Sequence, residues 1–357
     1  MPGDTSPKSS TTAPGHLQLL KAAVIYGLPI YCFHTFLPLV RVQTYTPHSQ
    51  HINTTQTSAM ASRLVAWDRL VRYIPNGGES TVRYGEPILE NESDATSIAQ
   101  LAQDGKLQVK VLEGESIFSA KLTDKVETVA KLLGPIEASE VPIIRCIGLN
   151  YKTHILETGR PLPTCPTVFT KPGPAVADHG EDIPIPKVAQ EQCDYEGELV
   201  IVIGKDAKNV SAADALQYVA GYTSGNDVSA RDWQREPGKA GPVPQWTFSK
   251  SFDKYAPLGP CIVSSHVLGD ASGLDLKTYV NGEIRQSTNT SDLCFGVAKL
   301  IEFCSQGQTL QKGSLIMTGT PGGVGLFMKP QAFLKDGDLV EIEIEKIGRV
   351  SNRMKFE

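Results

Sequence analysis

The chain has 357 residues, of which 40% are hydrophobic and 20% are charged, and its formal net charge is −5. This length accommodates one large domain or two, and the composition is that of a globular protein with a full core. Lysine and arginine do not cluster, so we expect no nucleic-acid partner. The seven cysteines lack C-x-x-C spacing, which predicts buried, reduced thiols and no zinc or redox site.

The first 59 residues differ in composition from the rest of the chain. Residues 1–13 are rich in Ser, Thr and Pro, which predicts disorder. Residues 22–40 form an apolar run of membrane-spanning length, but prolines interrupt it, so membrane association is not expected. Residues 41–59 have the composition of an organellar transit peptide; alternatively, Met60 is the true start and the preceding stretch is a gene-model artefact. A mitochondrial and a cytoplasmic location both remain open.

Residues 60–138 are predicted to form a small N-terminal module. Residues 65–74 are patterned like a strand and residues 98–103 like a short helix. Residues 107–111 and 117–120 suggest further short strands. This stretch contains no catalytic constellation, which indicates a structural role.

Residues 139–357 are predicted to form the second, larger domain. Apolar runs at residues 143–147, 199–203 and 315–317 predict buried strands, and residues 212–219 have helical spacing. These runs supply the framework on which the polar segments described next are placed.

Three glutamates alternate with apolar residues near the end of the chain. Glu341, Glu343 and Glu345 have a period of two within residues 339–347, so they share one face of a strand. Three carboxylates on one face suit a metal site, but a solvated strand face is the commoner explanation.

The strongest indication of chemistry is a pair of carboxylates at the start of a buried strand. Glu196 and Glu198 directly precede the apolar run 199–203, and residues two apart on a strand project to the same side. Two adjacent carboxylates are costly there unless a cation lies between them. Oxygen ligands suit Mg²⁺, Mn²⁺ or Ca²⁺ better than Zn²⁺. Alone, however, this spacing is also common on exposed strands.

A polar segment follows the next strand-like run. Within residues 225–234, Asp227 offers a third carboxylate, and the planar guanidinium of Arg231 matches a substrate carboxylate. The alternative is a helix start, capped by Asp227 or Ser229, with Arg231 in a structural ion pair.

An imidazole and a carboxylate have helical spacing further upstream. His154 and Glu157 are three residues apart, so on a helix they share a face and can form a hydrogen-bonded dyad. Such a dyad takes a proton from water or from an acidic carbon. The alternative is an ordinary surface contact.

A glycine-rich segment and two lysines offer positive potential. Residues 318–325 follow an apolar strand, and their backbone N–H groups are suited to a carboxylate or an enolate oxygen. The segment lacks the signature of a nucleotide-binding loop. Lys171 and Lys250 lie in small polar clusters and either add charge to a site or lie on the surface.

Taken in order, these segments resemble the fumarylacetoacetate hydrolase family over about residues 141–357. The matching segments are Gly148–Tyr151 with His154 and Glu157, Glu196-x-Glu198, Asp227–Asp232, Lys250–Asp253, Val280–Glu283, and Thr318–Pro321 with Gly323–Gly325. Within the family, the chain most resembles the longer fumarylacetoacetate hydrolase domain-containing proteins, which carry an extra N-terminal module.

The resemblance implies an α+β, β-rich fold, with a mixed β-roll catalytic domain and a small N-terminal α/β module, in a homodimer. It implies Mg²⁺ or Mn²⁺ on Glu196, Glu198 and Asp227. It also implies that His154 and Glu157 are a catalytic dyad carried on a mobile lid.

The resemblance further implies which side chains contact a small 2-oxo acid. Lys250 corresponds to a lysine with a catalytic role beside the substrate. The substrate-binding residues are expected to be Arg231, Gln234, Lys171 and Thr320.

Family members hydrolyse C–C bonds of acylpyruvates, decarboxylate oxaloacetate, isomerise cyclic products of catechol breakdown, or interconvert keto and enol oxaloacetate. Each reaction uses metal-assisted stabilisation of an enolate. We expect oxaloacetate keto–enol tautomerase or decarboxylase activity. The alternatives are a C–C bond hydrolase of acylpyruvates or fumarylacetoacetate-like β-diketo acids, and a non-catalytic dimeric binding module.

Overall fold

The computed structural model describes residues 63–77, 81–90, 97–157 and 159–357. The predictions made for residues 1–59 and for Met60 lie outside these ranges. Within them, no helix combines the length and the apolar character needed to cross a bilayer.

Strands dominate the described part of the chain. The strands are β1 (Arg69–Pro75), β2 (Arg83–Pro87), β3 (Gln108–Glu113), β4 (Lys121–Leu132), β5 (Ile144–Gly148), β6 (Thr167–Lys171), β7 (Val176–Ala177), β8 (Ile183–Ile185), β9 (Cys193–Asp194), β10 (Gly197–Ile203), β11 (Val219–Asn226), β12 (Ser229–Ala230), β13 (Ala256–Ser264), β14 (Asp275–Val280), β15 (Glu283–Asn289), β16 (Leu315–Met317), β17 (Leu339–Ile344) and β18 (Gly348–Phe356). The α-helices are α1 (Ile98–Gln103), α2 (Lys152–Glu157), α3 (Arg231–Arg235), α4 (Pro237–Ala240), α5 (Trp246–Lys250), α6 (Ser265–Leu268) and α7 (Val297–Cys304). The predicted α+β, β-rich class is confirmed.

The larger of the two main sheets runs in the order β2-β3-β4-β1-β13-β11-β10-β16-β5-β6, with β7 added beside β13. Strand β2 also pairs with β1, so the first four strands close on themselves. Most neighbours are antiparallel, but β16 and β5 are parallel, so the sheet is mixed. The smaller sheet has the order β15-β14-β17-β18-β8.

Strand β10 lies at the centre of the larger sheet and is buried along its whole length. Leu199, Ile201 and Ile203 pack into one hydrophobic cluster, whereas Val200 and Val202 pack into a second cluster on the other face. Burial on both faces explains why this stretch is a continuous apolar run without alternation. Full burial of each side chain contributes about 1.5–3 kcal/mol.

The N-terminal strands share this core. Val71 and Val109 belong to the same hydrophobic cluster as Leu199. Strand β1 pairs with β13 through Leu70 and Ile262. Residues 60–357 accordingly form one compact unit, and a domain boundary near residue 138 stays a prediction.

Strand β17 confirms the solvated-face explanation for its glutamates. Val340, Ile342 and Ile344 are buried on one face, whereas Glu341 and Glu343 share the partly exposed face with Leu339. Both form ion pairs with Arg349 on the neighbouring strand β18. Glu345 lies beyond the end of β17, in the turn that follows it.

Two local predictions were wrong. Residues 117–120 form a turn, and the strand begins only at Lys121. Residues 212–219 contain a 3₁₀ turn at Ala215–Tyr218, with no α-helix, because Val219 already pairs with Ile203 at the start of β11. The predicted helix at residues 98–103 is confirmed by α1.

Candidate active site

Three carboxylates converge where β10 begins and β11 ends. The two strands are antiparallel, with Gly197 opposite Asn226, so the residues just outside this pair are neighbours. The N–H of Asp227 donates to the carbonyl of Glu196 over 2.9 Å. Oxygens of Glu196, Glu198 and Asp227 lie within 4.8 Å of one another, and all three side chains are buried.

Gly197 lies between the two glutamates because the smaller sheet approaches closely there. A Cβ on Gly197 would lie 2.2 Å from Oγ1 of Thr278. Its N–H donates to Oε1 of Gln286 over 2.9 Å. Only glycine allows this close approach, which holds the start of β10 against the second sheet.

A buried ammonium group bridges two of the carboxylates. Lys250, the last residue of α5, places Nζ 2.7 Å from Oε2 of Glu196 and 2.8 Å from Oδ2 of Asp227. It also donates to Oγ of Ser229 over 2.6 Å. Burial is the largest influence on Lys250 and lowers its pKa, but Asp227 and Glu196 outweigh it and raise the pKa. Lys250 is therefore a cation that fixes the spacing of the carboxylates.

Lys171 lies behind the carboxylates and away from the cavity wall. Its Nζ is 2.6 Å from Oδ1 of Asp227, and neither side chain is exposed. The ammonium also donates to the backbone carbonyls of Val228 and Tyr255. The expected contact between Lys171 and substrate stays a prediction, and the observed contacts favour a role in holding Asp227.

Arg231 forms the structural ion pairs considered from the sequence, and its contact with a substrate carboxylate stays a prediction. Its Nε donates to Oδ2 of Asp194 over 2.8 Å, and Nη1 lies 2.7 Å from Oε1 of Glu196. Nη1 also donates to Oε1 of Gln234 over 3.2 Å. Nη2 is buried and has no hydrogen-bond partner in the described residues. Two nitrogens thus form structural ion pairs, and the third is a buried donor without a partner in a residue that lines the cavity.

The two glutamates have opposite electrostatic environments. Burial raises the pKa of Glu196, but Lys250 and Arg231 outweigh burial and lower it. Burial, followed by the negative charges of Asp227 and Glu196, raises the pKa of Glu198 well above its usual range. Glu198 accepts the N–H of Gly319 over 2.6 Å but forms no ion pair with a basic side chain in the described residues.

This charge balance fits a divalent cation. Within this network of ion pairs, the buried carboxylates are Asp194, Glu196, Glu198 and Asp227, and the buried cations that contact them are Lys171, Lys250 and Arg231; the buried Asp232 pairs with Lys239 outside the network. The unbalanced charge falls on Glu198, within a cluster whose ligand atoms are all oxygens. Hard cations prefer such ligands, and a cation among the three oxygens would relieve the repulsion. The cluster is therefore able to hold a divalent metal ion.

His154 and Glu157 both lie on α2, as the spacing predicted. His154 lines the cavity and is buried, whereas Glu157 is exposed at its mouth. No hydrogen bond joins them in the part of the chain that the structure describes. A Cβ on Gly322 would lie 3.3 Å from both Nδ1 of His154 and Oε2 of Glu157, so both side chains lie close to Gly322.

Burial sets the charge state of the imidazole. It is the largest influence on His154 and lowers the pKa, while Glu157 and Glu196 oppose it. The net effect is a pKa below 6.5. The ring is therefore neutral at neutral pH and able to accept a proton.

The glycine-rich segment supports the carboxylates from the opposite side. Gly319 has a φ of 99°, and its N–H binds Glu198, so this amide is already used within the protein. Oγ1 of Thr320 donates to the carbonyl of Gly197 over 3.2 Å and accepts Nε2 of Gln286 over 2.8 Å. Thr320 also lines the cavity.

The cavity in front of these groups has a volume of about 180 Å³. Its lining includes the predicted site residues His154, Glu196, Arg231, Gln234, Lys250 and Thr320. The structure thus brings together groups that lie far apart in the chain. Their arrangement suits a small anionic ligand held near a metal ion and a neutral histidine.

Sequence reasoning missed several residues of this site. Asp194, which orients Arg231, lies two residues before Glu196, and that spacing was its signal. Arg160 and Arg235 also line the cavity, together with Phe327. Arg235 directly follows Gln234, but nothing in the sequence distinguished it from a surface arginine.

Comparisons with known proteins agree with the geometry. The family model described as "Fumarylacetoacetate (FAA) hydrolase C-terminal" matches residues 143–355. A fumarylacetoacetate hydrolase domain-containing protein 2 homolog of Dictyostelium discoideum is 40% identical over 309 residues, covering 80% of this chain and 97% of that protein. The Homo sapiens protein named "Oxaloacetate tautomerase FAHD2A, mitochondrial" is 37% identical over 284 residues, covering 78% of this chain and 87% of that protein.

A solved structure also resembles this chain over most of its length. The 2-hydroxyhepta-2,4-diene-1,7-dioate isomerase from Mycobacterium marinum is similar with a TM-score of 0.65 and 33% sequence identity. The similarity covers 81% of this chain and 98% of that one. The chain therefore belongs to the fumarylacetoacetate hydrolase family and is an enzyme.

Proposed function

We propose that this enzyme interconverts the keto and enol forms of oxaloacetate with the help of a divalent metal ion. The observation that carries the proposal is a cluster of three buried carboxylates, one of which, Glu196, lines a small cavity together with Arg231 and a neutral His154. The name of the human relative, an oxaloacetate tautomerase, supports the choice of substrate.

Glu196, Glu198 and Asp227 would hold the ion, which we propose to be Mg²⁺, with Mn²⁺ or Ca²⁺ as alternatives. Bound there, the ion supplies Lewis-acid stabilisation of negative charge that develops on the oxygens of a 2-oxo acid. Lys250 and Lys171 keep the carboxylates in position, since both ammonium groups contact Asp227.

Arg231 and Gln234 orient the substrate carboxylate. Nη2 of Arg231 is the unpartnered donor, and Gln234 fixes the guanidinium through Nη1. With the 2-oxo acid end held in this way, the methylene carbon of oxaloacetate faces the proton-transfer group.

His154 moves the proton. The neutral imidazole takes a proton from the methylene carbon, the C–H electron pair forms the C=C bond, the electron pair of the carbonyl π bond moves to oxygen, and the imidazolium gives its proton to that oxygen to complete the enol. In the reverse direction the imidazolium returns the proton to carbon. Glu157 stabilises the charged ring, because its carboxylate raises the pKa of His154.

The same groups favour a second candidate function, C–C bond hydrolysis of an acylpyruvate or a related β-diketo acid. Glu157 is exposed and His154 extends to the mouth of the cavity, so the pair is also suited to deprotonating a water molecule. Decarboxylation of oxaloacetate is a third outcome of the same enolate stabilisation.

We further propose a homodimer located in mitochondria. The location is supported by the name of the human relative. The exposed apolar side chains Val243 and Phe248, 67% and 45% accessible, are candidates for the subunit contact. Import of a reporter fused to residues 1–59, and the molecular mass in solution, test the two statements.

The first experiment follows the absorbance of freshly dissolved enol-oxaloacetate with the purified protein and Mg²⁺, with and without EDTA, and then assays pyruvate. EDTA-sensitive loss of enol without pyruvate supports the tautomerase. If pyruvate forms in an amount that matches the enol lost, the activity is that of a decarboxylase and not of a tautomerase. No effect on either rejects both reactions, and acylpyruvates become the substrates to test.

A matched pair of variants ties the activity to the carboxylates. Glu198→Gln should abolish the EDTA-sensitive rate, whereas Glu115→Gln, an exposed glutamate outside the cavity, should leave it unchanged. Full activity in Glu198→Gln would contradict the proposed metal site.

A further inference from the structure

Two arginines line the outer part of the cavity. Arg160 follows the helix that carries His154, and Arg235 is the last residue of α3. Both are exposed, and both line the same wall as His154 and Phe327. In the described residues neither guanidinium forms an ion pair with a carboxylate, unlike the buried Arg231.

An aromatic ring connects Arg235 with the proton-transfer group. The guanidinium carbon of Arg235 lies 5.7 Å from the centroid of the Phe327 ring. The same ring lies 5.9 Å from the imidazole of His154. A cation beside an aromatic face is favourable, so Phe327 restrains Arg235 at the mouth of the cavity.

The charge of the cavity changes from the floor to the mouth. The floor includes Glu196, one of the three carboxylates that suit a metal ion, and the other two lie within 4.8 Å of it. The mouth contains the cations Arg160 and Arg235 and one opposing carboxylate, that of Glu157. His154, which also lines the mouth, is neutral. The mouth is therefore net positive and has guanidinium donors without an anionic partner.

We propose that Arg160 and Arg235 form an anion subsite for the second carboxylate of a dicarboxylic substrate. The inference rests on the proposed function for the position of the other end, the 2-oxo acid, beside Arg231 and Gln234. Guanidinium groups bind carboxylates through paired, charge-assisted hydrogen bonds. The subsite selects dicarboxylic acids over monocarboxylic acids of similar length.

The test measures the binding of two non-reacting acids to the Mg²⁺-loaded protein by calorimetry. Malate and lactate share a 2-hydroxy carboxylate end, but only malate has a second carboxylate. The wild-type protein should bind malate at least about tenfold more tightly than lactate, the difference expected for a hydrogen-bonded charge.

The variants assign this preference to the two arginines. The double variant Arg160→Met/Arg235→Met should lose the malate preference and keep its affinity for lactate. Arg235→Lys, which retains the charge, should keep part of the preference. Arg353→Met replaces an exposed arginine of β18 that does not line the cavity and should behave like the wild type.

A malate preference that survives in the double variant, or that is missing from the wild type, overturns the subsite. The binding test does not depend on turnover, because neither acid has a 2-oxo group to enolise. A protein without oxaloacetate activity that still shows the arginine-dependent preference would reject the proposed function and keep the subsite. Oxaloacetate turnover at full kcat/KM in the double variant would keep the proposed function and reject the subsite.

Discussion

The ammonium group of Lys171 lies 2.6 Å from Oδ1 of Asp227, and the side chains of both residues are fully buried. An ion pair in this position is costly to break, because the remaining charge has no access to water. Lys171 therefore acts on the candidate metal site through Asp227.

The first prediction follows from this pair. Lys171→Met should lower the free energy of unfolding by about 3–5 kcal/mol, because it leaves the buried Asp227 uncompensated. Saturating Mg²⁺ should restore part of the loss, since a bound cation supplies the missing charge. Denaturant titrations with Mg²⁺ and with EDTA measure both effects.

Lys355→Met, at an exposed position, is the control and should change stability by less than about 0.5 kcal/mol. A stable Lys171→Met protein with a raised KM would instead favour the direct substrate contact expected from the sequence.

The second prediction concerns the carboxyl group of Glu198, whose pKa is raised well above its usual range. A pKa that is higher in the folded than in the unfolded chain means that stability falls as pH rises above 4.5 towards the folded pKa. In EDTA at pH 7, Glu198→Gln should therefore be more stable than the wild type, by about 1–3 kcal/mol. Thermal or urea unfolding measures this difference.

Adding Mg²⁺ should reverse the order, because only the wild type has the full ligand set. If Glu198→Gln is less stable than the wild type in EDTA as well, the negative charges of Asp227 and Glu196 do not destabilise ionised Glu198 as the geometry indicates.

The third prediction concerns the pH dependence of turnover. Because burial lowers the pKa of His154 below 6.5, kcat/KM should stay constant down to that pH and fall only at lower values, where the ring becomes protonated. His154→Asn should reduce kcat by about 10²–10⁴-fold. Its affinity for lactate should be unchanged.

Glu157→Gln should move the acidic limb of the profile to still lower pH, because the carboxylate of Glu157 raises the pKa of His154. Initial rates measured across pH in the wild type and in Glu157→Gln give the position of the acidic limb in each protein. An unchanged limb would mean that a group other than His154 controls the profile.

The fourth prediction concerns a histidine outside the cavity. Burial lowers the pKa of His179 to about 4, and its Nδ1 accepts the N–H of Ser351 over 3.3 Å. The unfolded chain therefore binds a proton between pH 6.5 and 4 that the folded chain does not, and stability falls as pH falls through this range. The loss amounts to roughly 3 kcal/mol at the lower end.

His179→Asn retains an acceptor for Ser351 but does not titrate, so its stability should depend less on pH. Urea unfolding at pH 7 and pH 4.5 measures the difference, with the exposed His266→Asn as the control. Equal pH dependence in the wild type and in His179→Asn would contradict the assignment.

Much of the framework and of the carboxylate cluster could be predicted from the sequence, because both depend on short-range regularities. The period of two places Glu196 and Glu198 on one side of β10, and the buried run 199–203 marks the strand itself. Asp227 was recognisable because it follows a strand directly.

The remainder depends on contacts that the sequence does not encode locally. Lys171 has a polar neighbour and a proline beside it, like a surface lysine, yet the fold buries it against Asp227. Arg235 lines the cavity beside Phe327, which is far along the chain and has no local signal that pairs it with Arg235. Residues 212–219 have helical spacing but form no α-helix, because Val219 pairs with Ile203 in the sheet. Tertiary context overrides local preference here.

Strand β10 has side chains in two hydrophobic clusters, contains Glu198 near its first end and is directly preceded by Glu196. A shift of its pairing by one residue would exchange the side chains of the two clusters and turn both carboxylates away from Asp227. Molecules with that error would lose core packing before any ion could bind. The register of the core therefore also fixes the candidate active site: a chain that has folded stably has its three carboxylates aligned.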